Sequence, residues 1–167
     1  LGICNGFQVL VKTGLVPYGQ IVDSGSKIED SHLQSTIHDP SAQPTLIHND
    51  ISRHISQYVQ TRVANNSSPW LANMAVGEIH TVPVSHGEGK FFATPETLAA
   101  LAAHGQIATQ YCDPSGHPTM EHPFNPNGSL AAIEAITSPC GRVLGKMGHT
   151  ERSGSRVAKN IPGNKHQ

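Results

Sequence analysis

Hydrophobic positions along this chain recur with two periods, and the switches between them mark its elements. Leu1 and Ile3 flank a glycine and read as the end of a buried strand. Phe7, Leu10 and Val11 then repeat at three-to-four spacing, which predicts a helix over residues 5–13 stopped by Gly14. A second helix is predicted over 95–103. Thr94 is placed to cap it, Pro95 suits a first turn that needs no N–H, and Leu98 and Leu101 mark its buried side.

Elsewhere the period falls to two. Residues 45–48, 56–63, 79–84, 91–93 and 106–111 read as strands, and 130–137 with 142–147 read as a hairpin around Ser-Pro-Cys-Gly. Residues 17–44 are rich in Pro, Gly, Ser and Asp and read as a loop-rich insertion; 113–129 read as a second loop. The mixture predicts an α/β domain, an open sheet with flanking helices. Its 167 residues are enough for one domain with a real core.

Composition narrows the class. Charged residues are 14 % of the chain and the net charge is -1, which argues against binding nucleic acid through a basic patch. No apolar run is long enough to span a membrane, and the apolar start has no basic flank of the signal-peptide kind. Three widely spaced cysteines, Cys4, Cys112 and Cys140, suit a reducing, cytoplasmic setting better than a disulfide framework. Eleven histidines raise the question of metal, but no H-x-x-x-H, H-E-x-x-H or C-x-x-C spacing is present, so no metal site is expected.

Two stretches carry candidate chemistry. In G-I-C-N-G-F-Q, Cys4 sits between two glycines where a strand turns into a helix. Such an elbow holds a nucleophile in a strained turn, with small neighbours to avoid collisions. The helix N-terminus behind the sulfur is expected to depress the Cys4 pKa, and the Asn5 N–H is expected to face a developing oxyanion. A thiol of this kind needs a base, and the base an orienting group. G-H-T-E supplies both: one residue separates His149 from Glu151, so both can lie on one side of an extended segment. Each stretch follows a predicted strand, and the C-terminal ends of strands are where open α/β sheets build sites.

These residues resemble the class I glutamine amidotransferases, whose pattern is G-x-C-x-G-x-Q followed much later by H-x-E. The stretches N-G-F-Q-V-L-V-K-T-G-L-V-P, S-P-W-L, V-P-V-S-H-G-E-G-K-F, N-P-N-G-S and I-T-S-P-C-G-R-V-L-G-K-M-G-H-T-E-R narrow the resemblance. They are similar to the glutaminase domains of phosphoribosylformylglycinamidine synthases. The resemblance spans nearly the whole chain in order, with Thr150 where most class I members have proline. Ala135 replaces an expected glycine, and Cys140 falls where the turn usually reads Asp-Gly.

The resemblance implies a flavodoxin-like fold: residues 1–167 would be a single partial domain, with N-terminal strands and a second oxyanion-donating loop missing, and a C-terminal helix cut off. It implies Cys4 as nucleophile, His149 as base then acid, and Glu151 as its orienter. Asn5, Gln8, His86 and Glu88 would contact substrate, the last two in a pocket or interface role. The substrate would be glutamine, and ammonia would pass to a synthetase domain or subunit, with the G-K-M-G-H-T-E-R form leaning toward a fused type. ATP and Mg would belong to that synthetase, with no cofactor in this segment, where no G-x-x-x-x-G-K-[ST] loop occurs. By itself the segment would be weakly active or inactive. A glutamine amidotransferase of another pathway, or an inactive piece serving as an interface unit, remain open at this point. N-P-N-G-S (125–129) reads equally as pocket rim or plain turn.

Overall fold

The computed structural model describes residues 1–19, 43–152, 154 and 157–163. Most of the loop-rich stretch expected at 17–44 therefore lies outside the described residues. The elements, in chain order, are β1 (Gly2–Ile3), α1 (Asn5–Lys12), α2 (Leu15–Tyr18), β2 (Thr45–His48), β3 (Ile55–Val63), β4 (Ile79–His86), β5 (Glu88–Phe92), α3 (Pro95–Ala103), β6 (Ile107–Tyr111), β7 (Ile133–Thr137) and β8 (Leu144–Lys146).

The open α/β sheet expected from the sequence is present. Six strands lie in the order β1-β8-β7-β6-β3-β4, and β2 pairs separately with β5. The pairing is mostly antiparallel; among the described residues only β1 and β8 run parallel. Helix α3 has the predicted bounds, and Thr94 caps it by accepting the Thr97 N–H at 3.3 Å.

Several boundaries differ from expectation, and three of them have a plain physical reason. Residues 15–18, partly assigned to the loop, form a short helical turn that buries Val16, Pro17 and Tyr18. The expected strand at 130–137 starts only at Ile133, because Ala131 and Ala132 have φ of 51° and 56° and cannot continue an extended chain. Strand β5 starts at Glu88 rather than Phe91, because His48 of β2 pairs with it there.

Helix α1 lies on the sheet through Phe7, fully buried and stacked on Phe91 with ring centroids 6.3 Å apart. Phe7, Val11, Val16, Leu46, Phe91, Leu101, Ile133, Ile136 and Met147 share one core. A second cluster, Ile55, Val59, Val82, Val84, Tyr111 and Ala132, fills the half of the sheet built from β3, β4 and β6.

The Phe7 ring has room because position 145 of β8 has no side chain. A Cβ there would fall 2.2 Å from Phe7 Cδ2. The ring is enclosed and cannot swing aside, so Gly145→Ala should destabilise the fold by roughly 1–3 kcal/mol, as overpacking does. A denaturant titration checks this, and an unshifted midpoint would show that the ring yields.

Candidate active site

Cys4 follows β1 directly and occupies the cap position of α1 with φ 53° and ψ -108°. That is a costly conformation for a residue with a Cβ, and it persists because both sides hold it. Upstream, the Cys4 N–H bonds to Lys146 O at 2.9 Å; downstream, Gln8 N bonds to Cys4 O at 3.1 Å and starts the helix. Gly2 is sterically required: a Cβ there would lie 2.6 Å from Leu10 and 2.7 Å from the Gly6 backbone. Gly6 is not, since a Cβ there would meet open space. The close approach of helix to strand is therefore met from the strand side alone.

The parallel pairing of β1 with β8 decides what faces this sulfur. Ile3 is in register with Lys146, so the chain leaves both strands at the same end of the sheet. Cys4 emerges from one and Met147-Gly148-His149 from the other. Both Cys4 and His149 line one cavity of about 540 Å³, together with Asn5, Gln8, His86 and Glu88. Glu151 stands behind it: His149 Nδ1 and Glu151 Oε1 are 2.6 Å apart.

The imidazole's state follows from that contact. Burial acts to raise the Glu151 carboxyl, but the His149 hydrogen bond, a backbone N–H and the charges of His149 and Arg152 outweigh it and hold the group below its ordinary range. A carboxylate only accepts, so Nδ1 donates in this contact, and in the neutral ring the lone pair is on Nε2. Nε2 is buried and has no hydrogen-bond partner among the described residues.

The Cys4 thiol departs from expectation. Burial pushes its pKa above the ordinary 9.0, against the Asn5 N–H and the Arg152 charge, and Glu151 adds to the rise. One helix-terminal amide and one cation do not offset the loss of water around a thiolate. The sulfur instead lies 3.9 Å from Ser85 O, a geometry in which a protonated thiol donates. Alkylation of Cys4 by iodoacetamide in the free protein should accordingly climb about tenfold per pH unit through neutrality without levelling off below pH 9. A plateau near pH 6 or 7 would mean a preformed thiolate.

The Ser-His-Gly-Glu-Gly stretch divides its duties. His86 is buried at the end of β4; burial pushes its pKa down to about 4, aided by the charges of His54 and His149, and it is neutral at physiological pH. Its Nδ1 meets Asn49 Oδ1 at 3.1 Å, while Nε2 is buried without a hydrogen-bond partner among the described residues. Its ring lies against Gly89, where a Cβ would come within 2.5 Å. Glu88 is exposed and pairs with the exposed His48 at 3.5 Å. Its backbone oxygen accepts from Gln8 Nε2 at 3.1 Å, tying α1 to β5.

The Asn-Pro-Asn-Gly-Ser stretch is neither rim nor plain exposed turn. Asn125, Asn127 and Ser129 are buried, and Asn127 Nδ2 donates to Gly89 O at 2.7 Å and meets Tyr111 OH at 3.1 Å. It is a polar hub that steadies β5 beneath His86. The sequence reading missed His54, Ser85 and Arg152, which also line the cavity. Arg152 had a signal, being a cation beside the H-x-E pattern, and so did Ser85, the first residue of Ser-His-Gly-Glu-Gly; His54 had none. Among the described residues no group of His, Cys, Asp or Glu has a metal-holding arrangement, no helix is long and apolar enough to cross a membrane, and Cys4, Cys112 and Cys140 are free.

Residues 1–167 match the family described as CobB/CobQ-like glutamine amidotransferase domain. The chain is 38 % identical over 153 residues to phosphoribosylformylglycinamidine synthase subunit PurQ of Acaryochloris marina, covering 92 % of this chain and 53 % of that protein. It is 36 % identical over 157 residues to the PurQ subunit of Chlorobaculum tepidum, covering 94 % and 55 %. The chain thus spans about half the length of the curated relatives it matches. In fold it is similar to a chain from the structure of PurLQS of Thermotoga maritima, with a TM-score of 0.62 at 23 % identity, over 99 % of this chain and 55 % of the other.

Proposed function

The chain belongs to the CobB/CobQ-like glutamine amidotransferase domain family, and from that premise we propose that it is the glutaminase part of a phosphoribosylformylglycinamidine synthase. Cys4 is the nucleophile, His149 the base and then acid, and Glu151 the group that fixes the imidazole. The single observation that carries this reading is that His149, whose Nε2 has no hydrogen-bond partner among the described residues, lines the same cavity as Cys4.

The reaction begins from a thiol. Cys4 Sγ attacks the side-chain amide carbon of glutamine as its proton passes to His149 Nε2. The carbonyl oxygen becomes an oxyanion steadied by the Asn5 N–H. The imidazolium returns its proton to the leaving nitrogen, the C–N bond breaks, and ammonia and a γ-glutamyl thioester result. Water then attacks the thioester, His149 takes its proton, and glutamate and the free thiol are regenerated. Glu151 holds the tautomer throughout.

Glu88 and Arg152 bring opposite charges to one cavity, which suits the ammonium and carboxylate of an α-amino acid. Gln8, Asn5 and His86 complete the substrate contacts. The ammonia goes to a synthetase domain or subunit, where it would amidate formylglycinamide ribonucleotide with ATP and Mg bound by that partner. Free cysteines suit a cytoplasmic enzyme. Glutamine carrying ¹⁵N in its side-chain amide tests the whole reading in the intact enzyme. The label should appear in the amidine nitrogen of the product; label released only to another acceptor overturns the pathway, and no release at all overturns the glutaminase.

A further inference from the structure

The loop that presents His149 begins where the β-ladder ends. Strand β8 stops at Lys146, and the next three backbone amides each need an acceptor away from water. Met147 N bonds to Glu134 O at 3.2 Å, Gly148 N to Glu134 Oε1 at 2.5 Å, and His149 N to Pro83 O at 2.8 Å. Glu134 of β7 thus serves two of the three, once with its backbone and once with its side chain.

That side chain is fully buried, and its other oxygen receives the Thr109 hydroxyl. A buried carboxyl is expensive, and here each of its oxygens is occupied by a donor. Here it continues the ladder one rung past the point where β7 can do so with main chain. Position 148 is fitted to it: a Cβ there would lie 2.9 Å from Glu134 Oε1 and 2.9 Å from Val82. Only glycine lets the carboxyl reach the amide.

We propose that Glu134 is a positioning residue for the reaction: by receiving the Gly148 N–H it fixes the His149 loop, and so the imidazole, against Cys4. The inference rests on His149 being the base. What it requires of residue 134 is reach and an acceptor atom, not charge. Glutamine in its place keeps both, with its amide oxygen toward Gly148 and its NH₂ toward the Thr109 oxygen. Aspartate keeps the charge but is one methylene short.

The test uses the intact enzyme, with glutamine and then free ammonia as nitrogen source. Glu134→Gln should retain most of the glutamine-dependent kcat. Glu134→Asp and Glu134→Leu should lower it about 100-fold, the scale of a misplacement of about 1 Å, with KM for glutamine little changed. Ammonia-dependent synthesis should stay at the wild-type rate in all three, which also reports folding; if the leucine variant fails that control, the aspartate–glutamine pair decides. Wild-type kcat in Glu134→Asp overturns the proposal, as does a glutamine variant as impaired as the aspartate one, since reach and an acceptor atom would then not suffice. Glutamine turnover that survives His149→Gln overturns the underlying base assignment instead, and so separates the two failures.

Discussion

Cys4→Ser in the intact enzyme should lose glutamine-dependent turnover by about 10⁴-fold or more while ammonia-dependent amidation continues at the wild-type rate, as removal of a nucleophile does. The substitution is nearly isosteric, so the strained turn, with φ 53° held by the Lys146 carbonyl and the first turn of α1, survives it. Binding of glutamine should survive too, because the other groups around the cavity are untouched. What is lost is the covalent step. A hydroxyl is a far weaker nucleophile, and the same burial that raises the thiol pKa would oppose an alkoxide more strongly. Measuring both nitrogen sources on one preparation makes the result decisive: unchanged glutamine use would remove Cys4 from the chemistry, and loss of both activities would point to damage beyond this site.

His149→Gln should lower glutamine-dependent kcat by about 10³-fold, within the range for loss of a general acid–base. The effect should be large here because Cys4 starts as a thiol. In a preformed thiolate–imidazolium pair the first proton has already moved; with the thiol pKa pushed up, attack requires a lone pair on Nε2 to take it. The pH profile should register this. Wild-type kcat/KM should rise with pH through neutrality, and the variant should follow only the free thiol, with its slope displaced to higher pH. Glu151→Gln should cost less, about 10²-fold, because Glu151 is half exposed and water can replace part of its hold on Nδ1. Equal damage from the two substitutions would mean that Glu151 does more than orient the ring.

Much of the architecture was legible locally. Helix α3 has the bounds read from its cap, its proline and its apolar spacing, because a helix is specified by groups a few residues apart. The α1 elbow was legible for the same reason: a glycine must precede the turn where helix and strand nearly touch. Boundaries were lost where neighbours decided them. Strand β5 begins at Glu88 because β2 pairs with it there, and the strand before β7 fails because two alanines adopt left-handed backbone. Neither is visible in period or composition.

The sequence alone determined which side chains of this protein are able to do chemistry, since a cysteine framed by glycines and a histidine two residues before a glutamate are properties of adjacent residues. Tertiary structure decided where and in what state they meet. Parallel pairing of β1 with β8 brings both strand ends to one cavity; desolvation, which depends on everything packed around an atom, makes Cys4 a thiol where a helix end by itself argues for thiolate. It also buries Glu134 under the His149 loop, a contact no spacing could announce because β7 and the loop meet only through the folded sheet.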